Sequence, residues 1–166
     1  TASKSKHELV ASLGATPIDY KNQDFVESIR SLTKNGVDAT FDPIGGDNFK
    51  RSLKTLKQGG KLVAYGFYNV SMDKGGSIPL DYIRLKLWNI LPNRRTTMFY
   101  SIGPLRKKYA TWFEEDLKVL FNLLVHGKIK PVITERMPLT EAARAHELIE
   151  QASVNGKIIL IVNEDV

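Results

Sequence analysis

Two short patterns in the chain pair a hydroxyl-bearing side chain with a lysine. Tyr82 and Lys86 are four residues apart, so on a helix the lysine would lie beside the phenol and lower its pKa for acid catalysis. Ser31 and Lys34 have the spacing of a serine nucleophile and its lysine base. Both patterns are short, Ser31 falls at the end of an amphipathic segment, and the glycine motif and upstream serine that work with a Tyr-x-x-x-Lys pair are missing. We therefore predict that neither pair is catalytic, and the sequence identifies no catalytic residue.

Metal chemistry is not indicated by the sequence. The chain has no cysteine, which excludes disulfides, thiolate nucleophiles and cysteine-ligated metal sites. The three histidines, His7, His126 and His146, are far apart and lack the spacing of metal ligands. We expect them to be surface or helix-end residues, and we predict no metal site.

The glycine pair Gly45–Gly46 suggests a ligand-binding loop. It lies between an apolar segment and a helical one, an arrangement in which backbone amides can face an anion. A full G-x-G-x-x-G motif, which would hold a dinucleotide pyrophosphate, is absent from the sequence, and so is a Walker motif. Taken alone, the pair indicates either a turn or part of a phosphate loop.

Composition places these residues in a globular protein. Of the 166 residues 42% are hydrophobic and 25% charged, which is enough for a substantial core. No apolar run approaches the ~20 residues of a membrane span, so we expect a soluble protein without a membrane partner. The lack of cysteine agrees with the cytoplasm. The net charge of +6 favours anionic ligands such as nucleotide phosphates, but the basic residues are scattered, so we predict no nucleic acid binding.

The elements that must position these residues alternate between strand and helix. Short apolar segments bounded by Gly and Pro predict strands, and apolar residues at helical spacing predict helices. The predicted strands are 17–20, 37–42, 61–66, 96–101, 132–137 and 157–162. The predicted helices lie around 9–13, 23–34, 49–56, 79–90, 113–124 and 139–151; Gly59–Gly60 ends the third, and 67–77 is a loop. This order predicts an α/β fold with a parallel sheet flanked by helices.

In an open parallel sheet, ligands bind outside the carboxyl ends of the strands. Four predicted strands end in residues suited to a site, at Tyr20–Lys21, Pro43–Gly46, Gly66–Phe67 and Tyr100–Ser101. Because the carboxyl ends of parallel strands share one edge, we expect these places to lie together.

Several segments follow one another in an order that is typical of a known family. They are Thr1–Lys4, Leu13–Ala15, Ile18–Tyr20, Val37–Gly46, Leu56–Val63, Tyr65–Gly66, Ala142–His146 and Gly156–Leu160. Together they resemble the cofactor-domain half of the medium-chain dehydrogenase/reductase superfamily, in its zinc-free quinone oxidoreductase-like branch. The resemblance spans nearly the whole chain and implies a Rossmann-like, NADPH-binding domain of an enzyme that reduces quinones, enones or similar carbonyl compounds.

The resemblance also implies roles for individual residues. In the family, a pair like Ser3–Lys4 follows the second strand and meets the adenosine ribose, and a tyrosine placed like Tyr20 contacts the 2′-phosphate. A lysine here, where NAD-binding proteins place an acid, agrees with the extra phosphate of NADPH. The residues expected along the cofactor are Gly45, Gly66 and Phe67, with Tyr100 and Ser101 near its nicotinamide end.

At the level of domains, the resemblance implies an NADP-binding Rossmann domain over 1–130 and a C-terminal return into the catalytic domain over 131–166. Lys157 of the return segment would approach the site. The strand at 96–101 resembles the edge strand through which such enzymes dimerise, so we expect a homodimer.

The sequence also departs from the family pattern. The first strand, its glycine-rich loop, the helix after it and most of the catalytic domain have no counterpart. We therefore expect a C-terminal part of a longer NADPH-dependent oxidoreductase that is inactive alone. Two alternatives stay open: a non-catalytic nucleotide-binding or interaction module, and a class I methyltransferase, which Gly59–Val63 would also suit but which needs an acid where the chain has Ser3–Lys4.

Overall fold

The structure is a computed structural model that describes residues 1–72, 75–92, 94–151 and 153–162. The chain forms two compact units, Thr1–Lys108 and Tyr109–Val166. All the residues predicted along the cofactor belong to the first unit. The boundary predicted at 130/131 separates the two domains of the family and stays a prediction.

A parallel sheet forms the centre of the first unit. Its described strands are β1 (Val37–Asp42), β2 (Leu56–Ala64) and β3 (Thr96–Phe99), in the order β1-β2-β3. Phe41 pairs with Val63, which in turn pairs with Met98, so the carboxyl ends of all three strands lie at one edge. The predicted α/β fold with a parallel sheet is confirmed.

Helices connect and cover these strands, as parallel pairing requires. After a 3₁₀ helix at Lys4–Lys6 come α1 (His7–Ser12), α2 (Phe25–Leu32), α3 (Asp47–Thr55), α4 (Tyr68–Ser71), α5 (Ile78–Trp88) and α6 (Ile102–Lys108). The connecting helix α3 packs on β1 and β2, and α5 packs on β3. Arg51 of α3 fixes α2 from the side, because it bonds to Asp24 at 3.0 Å and lies 4.4 Å over the Phe25 ring.

The core of this unit lies between β2 and the helices α3 and α5. Its buried members are Phe49, Leu56, Leu62, Ala64 and Leu85. Complete burial of a leucine or phenylalanine contributes roughly 2 kcal/mol each. The same layer therefore stabilises the fold and fixes the starting points of the loops at the strand ends.

Three local predictions differ from the structure. Gly59–Gly60 do not end α3, which stops at Thr55; they form an irregularity inside β2, where Val37 pairs with Leu56 but Ala39 already pairs with Lys61. The predicted loop 67–77 contains the short helix α4, and its residues 73 and 74 lie outside the described part. The predicted strand 17–20 is reduced to one parallel bridge, between Ala2 and Asp19.

The second unit has its own parallel strand pair. It contains α7 (Ala110–Val125), β4 (Ile133–Pro138), a 3₁₀ helix at Leu139–Glu141, α8 (Ala142–Glu150) and β5 (Lys157–Ile161). β4 pairs with β5, and α8 packs on β4 and buries Ala145. Arg144 joins α8 to the preceding turn through Glu141 at 2.8 Å.

Candidate functional site

The predicted site residues fall into two groups in the first unit. One group, the Ser3–Tyr20 cluster, consists of Ser3, Lys4 and Tyr20. The other lies at the carboxyl ends of β1, β2 and β3 and includes Pro43–Gly46, which we call the glycine loop. Different interactions build each group.

A single parallel bridge assembles the Ser3–Tyr20 cluster. The amide of Ala2 donates to the carbonyl oxygen of Ile18 at 3.0 Å, and Ala2 pairs with Asp19. Ser3 and Tyr20 each follow directly after this pair, so the two residues lie next to each other. Lys4 comes next and begins the 3₁₀ helix. The structure therefore brings together residues that are 16 or more positions apart in the sequence.

Asp19 shapes the turn that carries Tyr20. Its carboxylate accepts hydrogen bonds from the side-chain amide of Asn22 at 2.7 Å and from the backbone amide of Lys21 at 3.1 Å. These two bonds, the one from Asn22 first, lower the pKa of Asp19 below its usual value. The turn leaves Tyr20 53% exposed. Among the residues that the structure describes, no acidic side chain forms an ion pair with Lys4, so its ammonium group is available to an anion.

Asp42, the last residue of β1, fixes the glycine loop by accepting hydrogen bonds from it. One carboxylate oxygen accepts from the amides of Ile44 at 2.8 Å and Gly45 at 3.4 Å. The other accepts from the Asn48 side chain at 2.8 Å and the Ser52 hydroxyl at 2.6 Å, both on α3. Asp42 is only 2% exposed. It therefore connects the end of β1, the loop and the first turns of α3.

A second aspartate also accepts a hydrogen bond from the glycine loop. Asp81, in the first turn of α5, is fully buried, and its Oδ2 accepts the amide of Gly46 at 2.8 Å. Its other oxygen lies 3.4 Å from a guanidinium nitrogen of Arg84. The interaction links loop and helix across 35 sequence positions.

These bonds change the interpretation of the glycine pair. The sequence suggested that the loop amides could face an anion, but those of Ile44, Gly45 and Gly46 donate to Asp42 and Asp81. With its donors engaged by carboxylates, the loop does not offer a phosphate nest. A ligand at this loop would meet the half-buried Pro43 and Ile44 and, beside Gly46, the charged side chains of Asp47, Lys50 and Arg84.

The strand ends approach one another closely at this edge. The amide of Tyr65 donates to the carbonyl of Asp42 at 3.0 Å, and that of Tyr100 donates to Ala64 at 2.8 Å. A Cβ on Gly66 would lie 2.8 Å from the carbonyl oxygen of Pro43, so this contact requires glycine. Of the four places predicted to lie together, the ends of β1, β2 and β3 do meet at one edge. The fourth, Tyr20–Lys21, follows the isolated Ala2–Asp19 bridge and is not part of this sheet.

The ring of Phe67 packs into the core of the unit. It meets the Phe49 ring edge-on at 5.9 Å and lies 5.0 Å from the Phe99 ring. A Cβ on Gly45 would come within 3.3 Å of the Phe67 ring. Phe67 therefore supports the glycine loop from inside, and contact with a cofactor stays a prediction for Gly45, Gly66, Phe67, Tyr100 and Ser101.

The two hydroxyl–lysine patterns do not form catalytic pairs in the structure. The Lys86 ammonium lies over the Tyr82 ring, 5.4 Å from its centre, on the surface of α5. The Ser31 hydroxyl donates to the carbonyl of Glu27 one turn earlier on α2. Both are ordinary interactions of a helix surface.

Zinc is not supported by the residues present. In the described ranges, no group of three or more His, Cys, Asp or Glu side chains is arranged to hold a metal ion. The sequence has no cysteine, and His126 bonds through Nδ1 to the carbonyl of Asn122 at the end of α7.

Asp42 and Asp81 were not among the predicted site residues. Asp42 ends a correctly predicted strand, and its position there was the available signal. Asp81 lies four residues before the buried Leu85, so helical spacing places it on the buried face of α5. An acidic residue on the buried face of a helix needs donors, and that requirement could have drawn attention to it.

The fold and the arrangement of strand ends place the chain among proteins with the cofactor-binding domain of medium-chain dehydrogenases/reductases. A family model described as "Zinc-binding dehydrogenase" matches residues 13–160. The chain belongs to this family, in its quinone oxidoreductase-like branch, which confirms the resemblance seen in the sequence.

Two curated relatives and one solved structure illustrate the match. The human synaptic vesicle membrane protein VAT-1 homolog is 31% identical over 97% of this chain and 42% of its own length. A 2-haloacrylate reductase from a Burkholderia species is 30% identical over 96% of this chain and 46% of its own. The solved native structure of a mycobacterial quinone oxidoreductase is 26% identical, with a TM-score of 0.70, and the match covers 97% of this chain and 47% of that one.

The chain spans 34–47% of the length of the curated relatives it matches. Among its described residues, no helix has both the length and the apolar character needed to cross a membrane. One set of relatives carries a vesicle membrane protein name, so the cytoplasmic location stays a prediction.

Proposed function

We propose that this chain is the C-terminal, cofactor-binding part of an NADPH-dependent oxidoreductase that reduces quinones, enones or similar activated carbonyl compounds. The observation that carries the proposal is the Ala2–Asp19 bridge, after which Ser3, Lys4 and Tyr20 follow on the two bridged segments. In this position a lysine without an acidic partner favours the 2′-phosphate of NADPH over the free hydroxyl of NADH.

The described residues suit a dinucleotide in two different ways. The Ser3–Tyr20 cluster offers exposed hydroxyl and ammonium groups to the adenosine ribose and its phosphate. The glycine loop offers the half-buried Pro43 and Ile44, whereas Gly45 and Gly46 are buried. A Cβ at Gly45 or Gly66 would run into Phe67 or Pro43, so the chain is closely packed at this point. The flat, uncharged dihydronicotinamide ring of NADPH would fit against these strand ends, with Tyr100 and Ser101 beyond it.

When bound, NADPH supplies the hydride of the reaction. The residues of this chain would hold the cofactor by its phosphate end and orient it along the strand ends. The named activities of two relatives involve 2-haloacrylate and quinones. Both compounds have a carbon–carbon double bond conjugated to a carbonyl group, and we propose the same acceptor chemistry for the parent protein of this chain.

A homodimer through the edge strand at 96–101 is part of the same proposal. β3 lies at the edge of the described sheet, and Met98 on it is 43% exposed. An exposed edge strand with apolar side chains is suited to pairing with a second copy. The amide and the carbonyl of Thr97 are already bonded to the Asn89 side chain, at 2.6 and 2.9 Å, so pairing with a second copy would use the rest of this strand. Sedimentation of the chain over a range of concentrations tests the proposal: a dimer is expected, and a monomer at every concentration would contradict it.

Calorimetric titration of the chain with NADPH and NADH tests the cofactor assignment. We expect wild type to bind NADPH about tenfold more tightly than NADH, the equivalent of one charge-assisted contact. Lys4→Ala should remove this preference by weakening NADPH alone. Lys118→Ala, which removes an exposed lysine of α7 in the second unit, is the matched control and should behave as wild type.

Equal binding of the two nucleotides by wild type would contradict the assignment of Lys4 to the 2′-phosphate. Failure of the folded chain to bind either nucleotide would show that this part does not bind the cofactor by itself, as expected of an interaction module or of a part that requires the upstream half. Binding of S-adenosylmethionine in place of both would favour a methyltransferase.

A further inference from the structure

We propose that Asp81 is a positioning residue of the cofactor site, which holds the glycine loop in the conformation that receives the nicotinamide half of the dinucleotide. The inference rests on the proposed function and adds to it a residue outside the predicted site. It is carried by the bond from the Gly46 amide to Asp81 and by the burial of that carboxylate.

The loop needs an external support because of its backbone. Gly45 and Gly46 both have positive φ, at 82° and 61°. Glycine reaches these values easily, but it also leaves them easily, since no side chain restricts the backbone. Two such residues in succession keep one shape only when other groups fix them.

Asp81 supplies this support from a separate element. It projects from the first turn of α5, and its acceptor, the Oδ2 oxygen, meets Gly46 at the start of α3. The carboxylate thus lies near the amino-terminal ends of two helices, where negative charge is stabilised. The same oxygen lies 3.6 Å from the position of a Cβ on Gly45, so Asp81 also fills the space behind the loop.

Asp42 and Asp81 stabilise different parts of the structure. Asp42 is bonded to Asn48 and Ser52 as well as to the loop, so its loss would disturb α3 and the fold. Asp81 has Gly46 and the half-exposed Arg84 as its partners. Removing the Asp81 carboxylate should therefore release the loop while the sheet and α3 remain.

Nucleotide fragments can separate an effect at the loop from an effect on the whole site. Adenosine 2′,5′-bisphosphate reaches only the Ser3–Tyr20 cluster, whereas reduced nicotinamide mononucleotide reaches only the other end. We expect Asp81→Ala to bind NADPH and the mononucleotide about tenfold more weakly, the loss typical of one charged hydrogen bond, and to bind the bisphosphate as wild type does. Asp81→Asn, which keeps an acceptor oxygen, should lie between the two.

Asp116→Ala is the control for loss of a negative charge, because Asp116 is exposed on α7 in the second unit. A second measurement needs no ligand: hydrogen exchange of the Gly46 amide, followed by NMR. We expect this amide to be protected in wild type and in Asp116→Ala, and to exchange at least about tenfold faster in Asp81→Ala, with the amides of β2 unchanged.

Each result supports or overturns the positioning role of Asp81. If Asp81→Ala binds NADPH and the mononucleotide like wild type, the proposal is overturned, while binding of the bisphosphate keeps the proposed function. If Asp81→Ala loses all three ligands together, Asp81 serves the fold and the positioning role is wrong. If wild type binds none of the three, the proposed function fails first, and faster exchange at Gly46 would then assign Asp81 a structural role only.

Discussion

The glycine loop and the Ser3–Tyr20 cluster are two ends of one candidate site that are built in opposite ways. Half of the loop is glycine, and its amides are bonded to two buried carboxylates, Asp42 and Asp81. The cluster presents side chains: Tyr20 is exposed, and Lys4 lies two residues after a single isolated bridge. The glycine loop therefore has a fixed backbone conformation, whereas the Ser3–Tyr20 cluster has a charged side chain that can adjust to a ligand.

The difference matches what each end would have to recognise. A 2′-phosphate is a strong charge that a mobile lysine can reach from several directions. A nicotinamide ring must be held within a few tenths of an ångström for hydride transfer, which requires rigid surroundings. Buried carboxylates are costly unless they are fully hydrogen-bonded, so the rigid end is where the fold depends most on single residues.

The largest expected effect follows from breaking the rigid end at Asp42. Asp42→Ala leaves the amide of Ile44 and the side chains of Asn48 and Ser52 without their acceptor. We expect the free energy of unfolding to fall by roughly 4 kcal/mol, measured by urea denaturation. A fall of less than about 1 kcal/mol would show that water replaces the carboxylate and that the loop does not depend on Asp42 for its conformation.

Gly66→Val tests the close approach of the strand ends. The new Cβ would lie 2.8 Å from the carbonyl oxygen of Pro43, and backbone on both sides would have to move. We expect a loss of about 2–3 kcal/mol in unfolding free energy, at the upper end for overpacking. NADPH affinity should fall with it, since the displaced segment is Pro43–Gly46.

The matched control for Gly66 is Gly103→Ala. Gly103 lies in α6, and nothing is within 4 Å of its Cβ position. Alanine is a better helix former, so this variant should gain about 0.5–1 kcal/mol. Equal losses from the Gly66 and Gly103 variants would mean that the contact with Pro43 is not the cause.

Sequence patterns predicted the elements well and their connections less well. The helix at 23–34 and the strand at 37–42 were expected from spacing alone and are observed at Phe25–Leu32 and Val37–Asp42, because burial of one face imposes a period on the sequence. Gly59–Gly60 was misinterpreted because a glycine pair that ends a helix and one inside a strand irregularity look alike.

In the candidate site, too, single residues could be predicted from the sequence but contacts between distant residues could not. Lys4 and Tyr20 could be proposed from charge and family pattern, since exposed residues carry their chemistry in their own type. The bond between Asp81 and Gly46 joins residues 35 positions apart, and no local pattern encodes such a pair. Rigid sites are assembled by long-range contacts, and these require the folded structure.

A smaller effect on stability is expected from the contact between α3, which follows the glycine loop, and the segment that follows Tyr20. Arg51 of α3, the helix that follows the glycine loop, bonds to Asp24 and covers Phe25, both in the segment that follows Tyr20. Because the pair is about half exposed, Arg51→Ala should lower the unfolding free energy by roughly 1 kcal/mol. NADPH affinity should stay within about twofold of wild type, since each end keeps its own support. A larger loss of affinity would show that the ends depend on each other, and Lys54→Ala on the same helix serves as the control.

The smallest effect should appear as a pH dependence at the adjustable end. The hydrogen bonds from Asn22 and Lys21 lower the pKa of Asp19 in the folded chain, so ionised Asp19 stabilises the fold above its unfolded pKa, about 4. That contribution is lost as the pH falls through the lower, folded pKa. Asp19→Asn should therefore be less stable than wild type near neutral pH, and the difference in Tm should shrink as the pH is lowered through about 4 and further into the acid range. Asp116→Asn, which removes an exposed carboxylate of the second unit, should show a smaller change over this range. A constant difference between wild type and Asp19→Asn would mean that the turn carrying Tyr20 is held by packing rather than by charge, and the contrast between the two ends of the site would then rest on Lys4 alone.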